Sequence, residues 1–251
     1  MKITSILNLK GGVAKTISAI NIAYILAEVH GFRVLLIDND KQGNTSKFFG
    51  VHNYDLPSMA EVLTGRADIK VVIRETAYER LHVLPANMNL LKADREILID
   101  SSKPQQTRLR KALRTVAEDY DYVIIDNAPD LSMSVINGLV ACHDVLIPIK
   151  IDSFAFDGVD QVLEQVEDIR EFNEQIHIKG GFVTMYQKNG VNMQGEEFLS
   201  EKEGLPLFKT VIRKTVRVDE TTYYGKPLLD YAKNSTAAQD YVKLVAEYLG
   251  A

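Results

Sequence analysis

Residues 7–18 read LNLKGGVAKTIS. The stretch leaves a short apolar run, ITSILNL (3–9), and enters an amphipathic one, TISAINIAYILAEVHG (16–31). Between them two lysines, Lys10 and Lys15, enclose the small residues Gly11, Gly12, Val13 and Ala14. A strand that breaks on glycines and restarts as a helix lets backbone N–H groups converge on one point, and the helix adds its positive dipole end there. Two cations beside such a turn predict an anion site.

The rest of the chain supplies the setting for that turn. Further apolar runs recur at RVLLI (33–37), LHVLP (81–85), YVIID (122–126), DVLIPI (144–149), IKGGFVTM (178–185) and PLFKTVI (206–212). Strands apolar at nearly every position are buried on both faces, as in parallel sheets covered by helices. Helical segments alternate with them: 16–31 closing at Gly31, DQVLEQVEDIREF (160–172) with a stripe of Val162, Val166, Ile169 and Phe172, and TAAQDYVKLVAEYL (236–249) behind a Ser235 or Thr236 cap. The pattern predicts an α/β fold: a doubly wound, mostly parallel sheet flanked by helices on both faces, in one domain over residues 1–251.

Composition narrows the class. The 251 residues carry a formal charge of −5, so the whole chain is no polycation. The single cysteine, Cys142, allows no internal disulfide and reads as a small buried hydrophobe. No run approaches the roughly 18 apolar residues of a membrane span, and no secretory leader is visible. A cytoplasmic location is expected.

In the phosphate reading, Gly11 and Gly12 let the backbone approach the anion, Lys15 reaches β- and γ-phosphates, and Thr16 offers its hydroxyl to Mg²⁺. The ordinary frame G-x-x-x-x-G-K-[ST] is altered, because Leu9 stands first and Ala14 replaces the last glycine. The string K-G-G-x-[GA]-K-[ST] is the deviant Walker A motif, and with it the chain resembles ParA-type ATPases of the ParA/MinD superfamily. That resemblance implies a P-loop fold, ATP and Mg²⁺ as cofactors, and a nucleotide-sandwich homodimer. It places Lys10, Gly11, Gly12, Val13, Ala14, Lys15, Thr16 and Ile17 on the nucleotide. Lys15 serves phosphates in cis and Lys10 crosses to the partner's nucleotide.

LLIDNDKQGNTS (35–46) resembles the family's D-x-D-P-Q-G-N segment, with Lys41 in place of proline. The resemblance makes Asp40 the residue that positions the attacking water and puts Asp38 near the metal. DYDYVIIDNAP (119–129) resembles a Walker B strand whose Asp126 binds Mg²⁺; the family's D-x-P-P is Asp126-Asn127-Ala128-Pro129 here. TMYQKN (184–189) and TVIRKTVRV (210–218) resemble the segments that border adenine, which implies Met185, Ile212 and Arg213, with Arg213 where the family has proline.

Charge is uneven along the chain. Residues 202–251 hold eight Lys and Arg against six Asp and Glu, whereas residues 151–201 hold three against eleven. Arg213, Lys214 and Arg217 form a basic cluster that the resemblance assigns to nonspecific DNA. A second basic cluster, Lys103, Arg108, Arg110, Lys111 and Arg114, is expected on one helix. The expected function is a partition ATPase whose ATP-bound dimer coats DNA, associates with the nucleoid, and is released by a ParB-like adaptor. The alternatives are a positioner of non-DNA cargo and a MinD-like or regulatory switch ATPase. Against the membrane-cycling form, the closing helix carries Asp240, Lys243 and Glu247 on its polar side, with no lysine-rich face. With the P-loop lysine at position 15, no helix-turn-helix is expected ahead of it.

Overall fold

The structure is a computed structural model that describes residues 1–152 and 155–250. Seven strands form one sheet: β1 (Lys2–Ile6), β2 (Val34–Asn39), β3 (Arg74–Glu75), β4 (Leu81–Leu84), β5 (Tyr122–Asn127), β6 (Asp144–Lys150) and β7 (His177–Thr184). Their order is β3-β4-β2-β5-β1-β6-β7. All neighbours are parallel except the β3–β4 pair at one edge. The expected doubly wound sheet is therefore present. The edge strand β3 is only the two charged residues Arg74 and Glu75, which is why it escapes a reading of the sequence.

The helices are α1 (Lys15–Glu28), α2 (Asn44–Phe48), α3 (Met59–Thr64), α4 (Ile69–Val72), α5 (Asn89–Ile99), α6 (Arg108–Arg114), α7 (Met133–Ala141), α8 (Ala155–Ile169), α9 (Gly190–Ser200), α10 (Arg217–Tyr224), α11 (Leu228–Tyr231) and α12 (Thr236–Leu249). They cover both faces. Leu36, Ile124 and Phe182 meet α1 and α12 through Ile20, Leu26, Tyr241 and Val245 on one face. Leu35, Ile37 and Ile125 meet α3, α5, α6, α7 and α8 on the other. Alternate residues of one strand thus serve opposite cores, which is why the central stretches of these strands are apolar without alternation. Polar anchors fix the closing helix. The Tyr241 hydroxyl lies 2.9 Å from Ser18 Oγ and that of Tyr248 2.7 Å from Thr4 Oγ1. Ser235 caps α12 by accepting from the Ala238 amide, as expected.

Four sequence readings are corrected. Residues 206–212 form no strand; they run beside β7 through isolated parallel bridges, Gly181 with Leu207 and Tyr186 with Arg213. The stripe expected over 160–172 belongs to a helix that ends at Ile169, and Phe172 lies past it, 45% exposed. Lys103 is outside α6, in the preceding turn. Asp240 does not face water: it is buried and accepts the Arg213 guanidinium. Cys142 is buried, as read.

Candidate active site

The loops after β1, β2 and β5 open together at the carboxyl edge of the sheet, where α/β proteins bind ligands. Register sets this up, since Ile6 pairs with Asp126, and Asp126 pairs with Asp38.

The loop between β1 and α1 is pinned by Asn8. Its Oδ1 accepts from the Lys10 amide at 2.9 Å and its Nδ2 donates to the Pro148 carbonyl at 2.9 Å. Gly12 (φ 72°) and Ala14 (φ 67°) both take the left-handed conformation. For Ala14 that conformation costs about 1–2 kcal/mol, a strain held by the packed structure around it. The space above Gly11 and Gly12 is open, with nothing within 4 Å of where a side chain would begin. Lys15 folds back over this space and donates Nζ to the Lys10 carbonyl at 2.8 Å. Burial lowers its pKa below the ordinary lysine value, while Asp126, Asp40 and Asp130 pull it back up. Lys10 points elsewhere and pairs with Asp152.

Asp38 and Asp126 are neighbouring buried carboxyls at the ends of β2 and β5. Asp38 Oδ2 accepts from the Ser46 amide (2.8 Å) and Ser46 Oγ (2.5 Å), and Oδ1 accepts from the Asp40 amide at 3.2 Å. Burial pushes its pKa up to about 8, helped by the charge of Asp126. Asp126 rises to about 6, again chiefly through burial, with the hydroxyls of Thr45 and Thr16 holding it down. Thr45 Oγ1 donates to Asp126 Oδ2 at 2.7 Å, and Oδ1 is buried without a hydrogen-bond partner. An unpartnered carboxylate oxygen costs energy unless a cation takes it. With the Thr16 hydroxyl near it, this donor set fits Mg²⁺. Asp40 stands half-exposed at the loop tip, its Oδ1 accepting from the Gln42 amide at 2.9 Å.

The residues that the resemblance implies for adenine also come together. Thr184 Oγ1 donates to the Val13 carbonyl, tying β7 to the loop. Met185 follows in the left-handed conformation (φ 52°), and the Tyr186 amide donates to the Ile212 carbonyl at 2.9 Å. The Ile212 side chain is buried in the core, so its backbone borders this corner. Arg213 is turned away in a bidentate pair with Asp240, at 2.8 and 2.6 Å. Ile17 packs partly buried against the α1–α12 core. Of the basic cluster, Arg217 pairs with Glu220 at 2.7 Å and Lys214 is exposed.

The AAA domain family model matches residues 1–178. The sporulation initiation inhibitor protein Soj of Bacillus subtilis is 35% identical over 249 residues, which is 98% of this chain and 97% of Soj. The chromosome partitioning protein ParA of Caulobacter vibrioides is 34% identical over 254 residues, 99% of this chain and 94% of that protein. The chain belongs to the ParA/Soj family of P-loop partition ATPases. Among solved structures, cobyrinic acid a,c-diamide synthase from Mycobacterium smegmatis, with bound ATP analogue and magnesium, superposes with a TM-score of 0.86 at 29% identity. The match covers 99% of this chain and 94% of that one.

Several site residues of this ParA-family chain are silent in a reading by motif. Ser46 and Thr45 hold the two buried carboxyls, yet they sit on α2 beyond the D-x-D segment. Asp130 receives Lys41 at 2.5 Å and so joins the loops after β2 and β5. Asn39 and Asn127 face each other in the core. Asn39 Nδ2 donates to Asn127 Oδ1 at 2.8 Å, and Asn127 Nδ2 donates to Ser5 Oγ at 2.6 Å. The register that follows from aligning two aspartates, Asp38 with Asp126, was the available signal: it forces their successors into a pair.

Proposed function

We propose that the chain is a Mg²⁺-dependent ATPase that closes into a homodimer around ATP, binds DNA nonspecifically as that dimer, and is released when a ParB-like adaptor stimulates hydrolysis. The observation that carries the reading is the pairing of the open left-handed loop under Lys15 with the unpartnered Asp126 Oδ1.

In this reading Gly11, Gly12, Val13, Ala14 and Thr16 present their backbone to the phosphates, and Lys15 exchanges the Lys10 carbonyl for a phosphate oxygen. Mg²⁺, when bound, supplies charge neutralisation at the β- and γ-oxygens. Asp126 and the Thr16 hydroxyl would hold it, with Asp38 behind them. Asp40, at the loop tip, accepts a proton from the attacking water and orients it. Lys10 leaves Asp152 and places its ammonium on the partner's nucleotide, so the cation that stabilises developing charge arrives only in the dimer. Met185, Ile212 and Arg213 border the adenine through backbone. Of the basic cluster, Lys214 and Arg217 supply the DNA surface, which dimerisation doubles, while Arg213 stays on Asp240. No described helix is long and apolar enough to cross a membrane.

Binding to a random-sequence duplex, measured with ATP, ADP and no nucleotide at two salt concentrations, tests the reading. Binding with ATP alone, weakened by salt, is expected. Equal absence of binding in all three states refutes the DNA part and leaves a switch ATPase.

A further inference from the structure

Asp40 opens a tight turn, and the residue after it, Lys41, sets no backbone angle by itself. The Gly43 amide donates to the Asp40 carbonyl at 2.9 Å and closes residues 40–43. Neither Lys41 nor Gln42 is at positive φ, so the turn is of type I. Its second position is where proline is favoured, because the ring presets φ and the amide there needs no partner. The Lys41 amide accordingly makes no hydrogen bond among the described residues. The chain beyond the turn is held firmly. A Cβ on Gly43 would stand 2.7 Å from the Ala86 carbonyl oxygen, and Lys47 Nζ donates to the Gln42 carbonyl at 2.7 Å.

What Lys41 brings instead of a ring is its side chain. Nζ donates to Asp130 Oδ2 at 2.5 Å, from the turn after β2 to the loop after β5. Asp130 foremost, then Asp40 and Asp94, keep the Lys41 pKa above the ordinary lysine value, so the ammonium stays charged at neutral pH. The far end of the pair is fixed. Asp130 Oδ1 accepts from the amide of Ser132, the N-cap of α7, at 3.1 Å. The Ser134 amide in the first turn of α7 donates to Asp94 of α5 at 2.7 Å. The ion pair therefore ties a turn with one free backbone angle to a loop that two helices hold.

We propose that Lys41 is a positioning residue for ATP hydrolysis: its ion pair with Asp130 holds the Asp40 turn against the loop after β5 and so fixes where the Asp40 carboxylate stands. The inference rests on the reading of Asp40 given above and adds the two residues that set its place. Lys41 touches no reacting atom. It acts through the backbone it shares with its neighbour Asp40, and through the loop that carries Asp126 four residues before Asp130. Such a restraint acts on the orientation of the attacking water rather than on the hold on ATP, so it is felt in kcat and not in KM. It also differs from proline in one respect. A ring is indifferent to salt, whereas a part-exposed ion pair is screened.

The test measures kcat and KM for ATP hydrolysis with Mg²⁺, at low and high salt, for wild type, K41A, D130A, K41A/D130A, K41P and D40A, after circular dichroism confirms that each folds. K41A and D130A each lower kcat about two- to fivefold at low salt, the fold-change of one part-exposed ion pair, with KM unchanged. The double variant is no slower than either single one. High salt brings wild type down towards K41A. K41P, which restores the restraint by another route, returns to the low-salt wild-type kcat and keeps it in high salt. Wild-type kcat in K41A, with D40A inactive, overturns the role of Lys41 while the reading of Asp40 stands. A loss confined to KM, or a K41P as slow as K41A, overturns it as well. Ordinary turnover by D40A overturns both.

Discussion

The buried carboxyl of Asp38 gives the sharpest test of the site. Its pKa stands at about 8 in the folded chain, against about 3.9 when unfolded. A carboxyl with a raised folded pKa binds its proton more tightly in the native state. Stability is therefore present in full below about pH 4 and falls as pH rises through the folded pKa, by about 1.4 kcal/mol per pH unit. At pH 7.5 the accumulated cost is roughly 4–5 kcal/mol, and at pH 5.5 about 2 kcal/mol. Asp38→Asn removes that cost. The amide brings its own penalty, because one of its two ends must face the Ser46 or Asp40 donors now accepted by oxygen, a mismatch worth about 1–3 kcal/mol. The variant should therefore be about 2–3 kcal/mol more stable than wild type at pH 7.5, with the gain shrinking towards zero at pH 5.5. Urea unfolding of both chains, without nucleotide and with Mg²⁺ chelated, measures it. A variant less stable than wild type by the same amount at both pH values would show that Asp38 is a satisfied carboxylate and refute the reasoning.

Lys10→Ala should still bind ATP but remain monomeric by light scattering, with hydrolysis reduced at least about a hundredfold; turnover at the wild-type rate rules out a role across the interface. Asp40→Ala should accumulate the ATP-bound dimer, and ordinary phosphate release from it would remove Asp40 from the water-positioning role. Gly225→Ala should cost at least about 2 kcal/mol in urea unfolding, since it joins left-handed strain to a Cβ 2.6 Å from the Phe48 carbonyl; a destabilisation under about 0.5 kcal/mol would mean that this contact yields freely. A double-mutant cycle on Lys41 and Asp130, whose side chains are 28% and 34% exposed, should give a coupling of about 0.5–1 kcal/mol that fades in high salt. Coupling that is indifferent to salt would place the pair in a drier setting than the structure shows.

What the sequence disclosed follows from how much each feature depends on near neighbours. The six longer strands announce themselves because each is buried on both faces over most of its length and carries an apolar run there. β3 is two residues long at an edge and carries no such demand. Residues 206–212 imitate a strand because they pack beside β7, and only the paired partner, not the local pattern, decides that they bridge at single points. The loop from Lys10 to Thr16 is legible since its glycines, lysines and helix start lie in one continuous stretch. Asp240 misleads for the opposite reason. On a helical wheel it reads as solvated, and what buries it is Arg213, 27 residues away. The basic cluster is likewise overstated by sequence: two of its three members, Arg213 and Arg217, already hold carboxylates.

These pairings bear on how a DNA surface could be gated. Freeing Arg213 would strand a buried Asp240, which costs far more than releasing a surface pair, so Arg213 is poorly suited to exchange its partner for a phosphate. Lys214, exposed beside it in the chain, carries no such penalty, so of the three members of the basic cluster it is the one most ready to meet a phosphate.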